Sequence, residues 1–288
     1  MCEAQASDPF RARSRSILRC RPRKGNRRSP RSRATNGSPV NLWITPAEAR
    51  SAIAHGDGHG VRIAVLDSGI EITHPDFMGR SLSDDINFES SPASSPQPGN
   101  GVDRYGHGTA LAGILWKVAP GAEIGSFRVL GPNLNARTAA VACAAQEAIS
   151  RGYHILNCSF ACMLPGHLPI YKDWVDRAAL AGIHVVAAGT RNISRNPEWP
   201  AHFTSVLGVD CHAAPRTPLQ LARNGEGIVE FSAQGENVRV PWRDSSHRTM
   251  TGSSFAAAHL SGLLARLLSV HPLRDVHLVK ALLRQVAD

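Results

Sequence analysis

Short apolar runs rich in β-branched residues alternate along this chain with longer segments of helical period. The first run, Val61–Leu66, is bounded by Gly60 and by the Asp-Ser-Gly that follows it. The next clear segment, His107–Val118, has apolar residues at every third or fourth position. Strands that are separated by helices pair in parallel rather than as hairpins. The sequence therefore predicts an α/β fold: a doubly wound, mostly parallel sheet with helices on both faces.

The later segments continue this alternation. Further strands are predicted at Ile124–Leu130, Tyr153–Ser159, His184–Ala188 and Val206–Val209. Further helices are predicted at Thr138–Ile149, Asp173–Ala181, Ser254–Leu268 and Leu273–Val286. Residues Ser83–Gly101, rich in Ser, Pro, Asn and Gly, are predicted to form a surface loop.

The positive charge of the chain is concentrated at its N-terminus. The first 40 residues contain eleven Arg or Lys and two acidic residues, while the whole chain has a formal net charge of +9. The remainder is therefore neutral, which argues against a folded face built to bind nucleic acid. We predict two parts: residues 1–40 as a basic, Arg/Ser-rich disordered tail that can contact polyanions, and residues 41–288 as one globular domain.

The sequence also allows a prediction of where in the cell the protein is found. It contains no run of about 18 consecutive apolar residues, so we predict no membrane span. The N-terminus lacks the apolar segment of a secretory signal, because Ser16-Ile17-Leu18 is flanked by arginines. We expect a cytoplasmic monomer, and targeting to an organelle by the basic tail stays open.

Three polar residues occupy places where parallel α/β folds carry functional groups, beyond the carboxyl ends of strands. Asp67 follows the first predicted strand, His107 begins a helix between two glycines, and Ser254 begins the helix after Gly252-Ser253. Each alone has an ordinary explanation, such as a turn residue or a helix cap. Together they supply the hydroxyl, imidazole and carboxylate that nucleophilic acyl transfer requires.

The sequences around these residues resemble the motifs of the subtilisin-like serine protease family. Val61–Ile70, continued by Thr73–Phe77, is similar to the family's Asp motif. Gly106–Gly113 is similar to its His motif, and Gly252–Gly262 to its Ser motif. The resemblance covers the chain from about Asn41 and includes the order Asp, His, Ser. It implies a subtilisin-like fold and a serine endopeptidase that cleaves an extended polypeptide through an acyl-enzyme.

The resemblance also implies a role for each residue. Ser254 would be the nucleophile, His107 the general base and then acid, and Asp67 the carboxylate that orients the imidazole. The Ser254 backbone N–H and the Thr190 side chain would form the oxyanion hole. The walls of the first specificity pocket, which also pair with the substrate, would be Ser159, Phe160 and Ala161 on one side and Ala187, Ala188 and Gly189 on the other.

The same resemblance implies further substrate-binding and oxyanion-binding roles for other residues near the site. Asn133-Leu134-Asn135 would form a second edge for the substrate. Arg191, at the rim of the first pocket, would favour acidic or discourage basic substrate residues there. Asn192 is an alternative oxyanion donor to Thr190.

The chain departs from the family pattern in ways that affect the chemistry. The family has asparagine where this chain has Thr190, whose hydroxyl is a shorter donor on a branched side chain. The loop that supplies much of the family's strong calcium site is absent from the sequence. Asp76 stands where a calcium ligand often occurs, but one carboxylate cannot provide the ~6–8 oxygen ligands that calcium takes. We therefore predict no metal site of that kind and no cofactor.

Two other functions stay open. The chain could be a catalytically weak or inactive binding or regulatory module on the same fold, and the threonine at position 190 motivates this alternative. A nucleotide-binding α/β protein is the other, because Gly56, Gly58 and Gly60 are closely spaced. However, these glycines precede their strand, whereas the glycines of a dinucleotide fingerprint follow one.

Overall fold

A computed structural model describes residues 44–89, 96–190, 197–211, 217–225 and 227–287. These residues belong to one compact unit, Trp43–Asp288. The predicted disordered tail, residues 1–40, lies outside the described residues, so its disorder stays a prediction.

One sheet of nine strands runs through this unit. Its strands, in chain order, are β1 (Arg62–Asp67), β2 (Leu82–Asn87), β3 (Gln97–Pro98), β4 (Glu123–Arg128), β5 (Ile155–Cys158), β6 (His184–Ala188), β7 (Leu207–Asp210), β8 (Leu221–Arg223) and β9 (Phe231–Ala233). The order across the sheet is β3-β2-β4-β1-β5-β6-β7-β9-β8. The two edge strands, β3 and β8, are antiparallel to their neighbours, and all other pairs are parallel. Outside this sheet, β10 (Val238–Trp242) and β11 (Ser246–Met250) form an antiparallel pair.

Helices cover both faces of the sheet. They are α1 (Pro46–His55), α2 (His107–Val118), α3 (Thr138–Ser150), α4 (Leu168–Leu180), α5 (Ser253–Val270) and α6 (Val276–Val286). Helices α1, α2, α5 and α6 contribute to the apolar core on one face, and α3 and α4 contribute to the core on the other. The predicted doubly wound, mostly parallel α/β fold is confirmed.

The predicted surface loop at Ser83–Gly101 is wrong for its first part, where β2 is a strand paired with β4. The sequence of β2 is polar and therefore does not look like a buried strand. Its charged side chains have partners that are distant in the chain. The Asp84 carboxylate accepts hydrogen bonds from Arg62 at 3.1 Å and from Tyr153 Oη at 2.7 Å. It also pairs with Arg151 at 2.7 Å.

Helices α1 and α4 differ most from the sequence-based prediction, and α6 begins at Val276 rather than Leu273. Helix α1 was not predicted, although Thr45 and Glu48 form a capping box in which each side chain accepts the other's backbone N–H, at 3.2 and 2.7 Å. Helix α4 begins at Leu168 rather than Asp173. Pro169 is compatible with this earlier start because the first turn of a helix needs no N–H donor there.

Helix α5, with 18 residues, is the longest helix that the structure describes. Among the described residues it is the one helix long and apolar enough to cross a membrane, and 72% of that stretch is buried inside the fold. Its position in the core accounts for its composition.

The direction of winding changes at β1. The chain first builds β2, β3 and β4 on one side of β1, and then crosses to build β5, β6 and β7 on the other. Parallel register pairs Leu66 with Cys158, and Cys158 with Ala187. One residue further along, Asp67, Ser159 and Ala188 therefore lie side by side at the carboxyl edge. This switch in winding is where open α/β sheets bind their ligands.

Candidate active site

A buried carboxylate–imidazole pair lies at the carboxyl edge of the sheet. Asp67 ends β1 and is 1% exposed, and His107 begins α2 and is 7% exposed. The distance from His107 Nδ1 to Asp67 Oδ1 is 2.8 Å. Because a carboxylate oxygen accepts, Nδ1 carries the proton in this bond, and Nε2 is then the basic nitrogen.

Opposing effects act on the pKa of His107. Burial disfavours the charged imidazolium and by itself would lower the pKa. The negative charge of Asp67 and its hydrogen bond outweigh burial, with a further contribution from Asp103, so the pKa is raised above its ordinary value of 6.5. His107 is thus a stronger base than a free histidine.

Asp103, which the sequence analysis did not single out, organises the loop before His107. Its Oδ1 accepts hydrogen bonds from Ser68 Oγ at 2.7 Å, Tyr105 N at 2.9 Å and Gly106 N at 2.7 Å. Its Oδ2 accepts from the backbone N and the Oγ1 of Thr109, at 2.8 and 2.7 Å. Asp103 is 5% exposed, so these donors are shielded from water. An aspartate just before a predicted helix start was the available signal.

The two glycines beside His107 are required by the backbone. Gly106 has φ +111°, and a Cβ added there would lie 2.4 Å from Trp242 Nε1. A Cβ at Gly108 would lie 2.1 Å from the carbonyl oxygen of Gly69. The first turn of α2 can therefore approach the end of β1 closely only without side chains at both positions.

Ser254 is brought to the same edge by α5. The His107 and Phe255 rings are in edge-to-face contact with centroids 5.7 Å apart, which places the start of α5 beside the imidazole. The Ser254 hydroxyl donates to the carbonyl oxygen of Ser159 at 3.4 Å, and no hydrogen bond joins it to His107 among the described residues. In return, Ser159 Oγ donates to the carbonyl oxygen of Ser254 at 3.1 Å.

A buried amide fixes α5 against the sheet. Asn157, within β5, accepts a hydrogen bond from Ser261 Oγ at 2.9 Å. Its Nδ2 donates to Ser159 Oγ at 3.2 Å. Asn157 and Ser261 are both fully buried, so this contact holds the start of α5 in register with the end of β5. Neither residue was identified from the sequence.

The expected pocket walls lie on neighbouring strands. Ser159, Phe160 and Ala161 follow β5, and Ala187, Ala188 and Gly189 end β6 and continue it. The expected second edge, Asn133-Leu134-Asn135, lies in a turn instead of a strand, with Gly131 N donating to Asn135 O at 2.9 Å. Leu134 has φ +56° in that turn.

Thr190 is exposed and is hydrogen-bonded to a carboxylate that the sequence analysis missed. Both its backbone N and its Oγ1 donate to Glu198 Oε2, at 2.8 and 3.2 Å. Its hydroxyl proton is therefore directed at Glu198. The other two residues considered at this end of β6, Arg191 and Asn192, lie outside the described residues.

Residues considered for metal or nucleotide binding have other partners. The described ranges contain no group of three or more His, Cys, Asp or Glu placed to hold a metal ion. Asp76 is 2.9 Å from His247 Nε2. Gly58 packs closely on Ala119 and Ala122 at the amino end of β1, opposite to the edge that carries Asp67.

The fold is similar to those of two solved structures. The S41 psychrophilic protease matches with a TM-score of 0.65 and 24% identity, over 78% of this chain and 82% of that one. Sphericase matches with a TM-score of 0.62 and 22% identity, over the same shares of the two chains. At these identities the likeness concerns the fold.

The sequence is similar to those of several named proteases. M-protease of Shouchella clausii (strain KSM-K16) is 27% identical over 248 residues, 83% of this chain and 62% of that protein, so the chain spans less than two thirds of its length. Subtilisin Savinase of Lederbergia lenta is 27% identical over 243 residues, 81% of this chain and 86% of that protein. Residues 58–288, most of the chain, match the profile of the subtilase family. This chain therefore belongs to the subtilase family.

Proposed function

We propose that this chain is a serine endopeptidase, a hydrolase with Ser254 as nucleophile, His107 as general base and Asp67 as the orienting carboxylate. The observation that carries the proposal is the buried 2.8 Å hydrogen bond between Asp67 and His107, at the sheet edge where α5 begins with Ser254. Relatives named as proteases and subtilisins support it.

The proposed reaction has two halves that share one proton carrier. Ser254 Oγ attacks the peptide carbonyl carbon while its proton passes to His107 Nε2, which gives a tetrahedral oxyanion. His107 then gives that proton to the leaving amine as the C–N bond breaks, and an ester to Ser254 remains. Water attacks the ester with His107 again accepting and returning a proton, which releases the acid and restores the serine.

One side-chain rotation is needed before the attack. The Ser254 hydroxyl donates to Ser159 O at 3.4 Å, a long hydrogen bond. Partly exposed side chains change rotamer in picoseconds to nanoseconds, so this starting position does not limit turnover. The Ser254 N–H lies in the first turn of α5, where backbone donors lack helical partners and the helix dipole favours negative charge. It is the proposed oxyanion donor on this side.

The proposed substrate is an extended polypeptide. The carboxyl ends of β5 and β6 lie next to each other on one side of Asp67 at the catalytic edge, and a peptide in an extended conformation can pair with backbone groups of this kind. We also propose that the basic tail contacts polyanions and that the protein is a cytoplasmic monomer. The alternative function, a binding or regulatory module with little turnover, is motivated by Thr190, whose hydroxyl donates to Glu198.

The proposed function predicts that a fluorophosphonate probe labels Ser254. Such probes require an activated hydroxyl, so the wild-type protein is expected to form the adduct, located by peptide mass spectrometry. Ser254→Ala is expected to remain unlabelled, and Ser253→Ala, which changes the neighbouring hydroxyl, is the matched control that keeps labelling. A wild-type protein that neither labels nor cleaves any peptide would contradict the proposal and favour the binding module.

Thr190→Asn is expected to raise kcat about tenfold, with KM nearly unchanged. An amide reaches further than the threonine hydroxyl, and the oxyanion is fully charged only near the transition state, so the gain belongs to kcat. Tenfold corresponds to about 1.4 kcal/mol of transition-state stabilisation. Thr190→Val, of similar shape, is expected to lose activity if the hydroxyl donates. Full activity in that variant would assign the second donor to another group.

A further inference from the structure

A third segment closes the gap between the two expected pocket walls. Cys162, which continues the wall that starts at Ser159, pairs with Trp199 in an antiparallel bridge. The backbone N–H of each donates to the carbonyl oxygen of the other, at 2.9 and 3.0 Å. The residue before Trp199 is Glu198, whose carboxylate reaches across to Thr190 on the other wall. Glu198 therefore spans the end of the gap between the walls.

The position of the carboxylate is defined by three distances. Glu198 Oε2 is 2.8 Å from Thr190 N and 3.2 Å from Thr190 Oγ1. A Cβ added to Gly189 would lie 3.7 Å from the same oxygen. Gly189, which also packs closely on Ala201 and Val229, therefore places the carboxylate against the backbone at the end of this wall. Glu198 is also only partly exposed, so its charge is less screened than that of a surface glutamate.

The walls leading to this carboxylate are small. Ala161, Ala187, Ala188 and Gly189 carry no side chain larger than a methyl group. Within the described ranges, no Lys or Arg forms an ion pair with Glu198, whereas the partly buried carboxylates Asp84 and Glu230 each have one. Small wall residues beside a carboxylate suit a substrate side chain with a long apolar stem and a cationic tip, and among the side chains only Lys and Arg have this form.

We propose that Glu198 makes the first subsite selective for Lys or Arg at the substrate residue whose carbonyl is attacked. This inference rests on the proposed peptidase function. It replaces the expectation from Arg191, which favoured acidic residues at this position. The negative charge of Glu198 lies beside Thr190, so without a bound cation it repels the developing oxyanion. A cationic substrate side chain neutralises that charge and removes the repulsion.

The first test compares peptide substrates that differ only at this position, with Arg, Lys, norleucine or Glu. Wild type is expected to cleave the Arg and Lys peptides with kcat/KM at least tenfold above the norleucine peptide, which matches the stem of Lys without its charge. Glu198→Gln is expected to reduce that ratio to about one. Glu123→Gln, which removes a carboxylate 53% exposed at the amino end of β4, is the control that keeps the preference.

The second test measures binding without turnover. In a Ser254→Ala background, p-aminobenzamidine, a fluorescent cationic probe, is expected to bind at least tenfold more weakly when Glu198→Gln is added. Equal binding in the two variants, or a wild-type preference for the Glu peptide, would overturn the inference. If Ser254 takes no fluorophosphonate label while amidine binding still depends on Glu198, the peptidase proposal fails and the cation subsite stands.

Discussion

Asp67→Asn is expected to lower kcat by about 10⁴, the loss known for this substitution in a Ser-His-Asp site. The amide NH₂ can donate to His107 Nδ1, which favours the tautomer with its proton on Nε2. In that tautomer Nε2 cannot accept the proton of Ser254. The 2.8 Å contact between the carboxylate and Nδ1 is the structural basis of this expectation.

The same substitution is expected to change the pH dependence of activity. In the wild-type protein the pKa of His107 lies above 6.5, because Asp67 outweighs the effect of burial. The base must be neutral, so wild-type kcat/KM is lost as the pH falls through this raised value. Without the carboxylate, burial lowers the pKa, and the acid limb of the residual activity is expected at lower pH.

The control for this experiment is Asp173→Asn, which changes a carboxylate on the exposed surface of α4, 62% accessible. It is expected to leave both kcat and the acid limb unchanged. An Asp67→Asn variant within tenfold of wild-type kcat, or with an unmoved acid limb, would contradict the role assigned to Asp67.

Asp103→Ala is expected to reduce the free energy of unfolding by about 3 kcal/mol or more. The substitution removes the acceptor for donors on Ser68, Tyr105, Gly106 and Thr109. Each buried donor left without a partner costs about 1–3 kcal/mol, and water entering the space recovers part of the loss. Since ~1 kcal/mol shifts the midpoint of a domain of this size by ~2–4 °C, Tm is expected to fall by at least ~6 °C.

Asp103 is expected to act on catalysis through the placement of His107. At a temperature where the variant stays folded, fluorophosphonate labelling of Asp103→Ala is therefore expected to be slower than that of wild type, and Asp103→Asn, which keeps one acceptor oxygen, is expected to fall between them. Asp76→Ala is the control, because Asp76 is 43% exposed and its ion-pair partners in the part of the chain that the structure describes are His74 and His247. An unchanged Tm and labelling rate in Asp103→Ala would show that the loop before His107 is held by other contacts.

The sequence alone predicted the elements whose side chains repeat with a regular period. Helix α2 has the predicted bounds His107–Val118, and β6 has the predicted bounds His184–Ala188. Both are largely buried, so their apolar pattern reports directly on the core. The residues proposed for catalysis were also identifiable from sequence, because their chemical types and short motifs are local properties of the chain.

Contacts between distant segments required the tertiary structure. Strand β2 was missed because Asp84 has its partners on β1 and near Tyr153, which the local pattern does not contain. The position of Asp103 beside Ser68 depends on the packing of α2 against the end of β1. The bond between Asn157 and Ser261 joins residues 104 positions apart.

Glu198 is the clearest example of a residue whose contacts could not be predicted from the sequence. In the sequence it is one acidic residue between two prolines, in a segment with no periodic pattern. Only the pairing of Cys162 with Trp199 brings it to Thr190. The sequence determined which elements form and which reactive groups the chain carries, because these depend on neighbours along the chain. The tertiary structure decided which carboxylate reaches Thr190 and which hydroxyl is already engaged, because these depend on strand order and register.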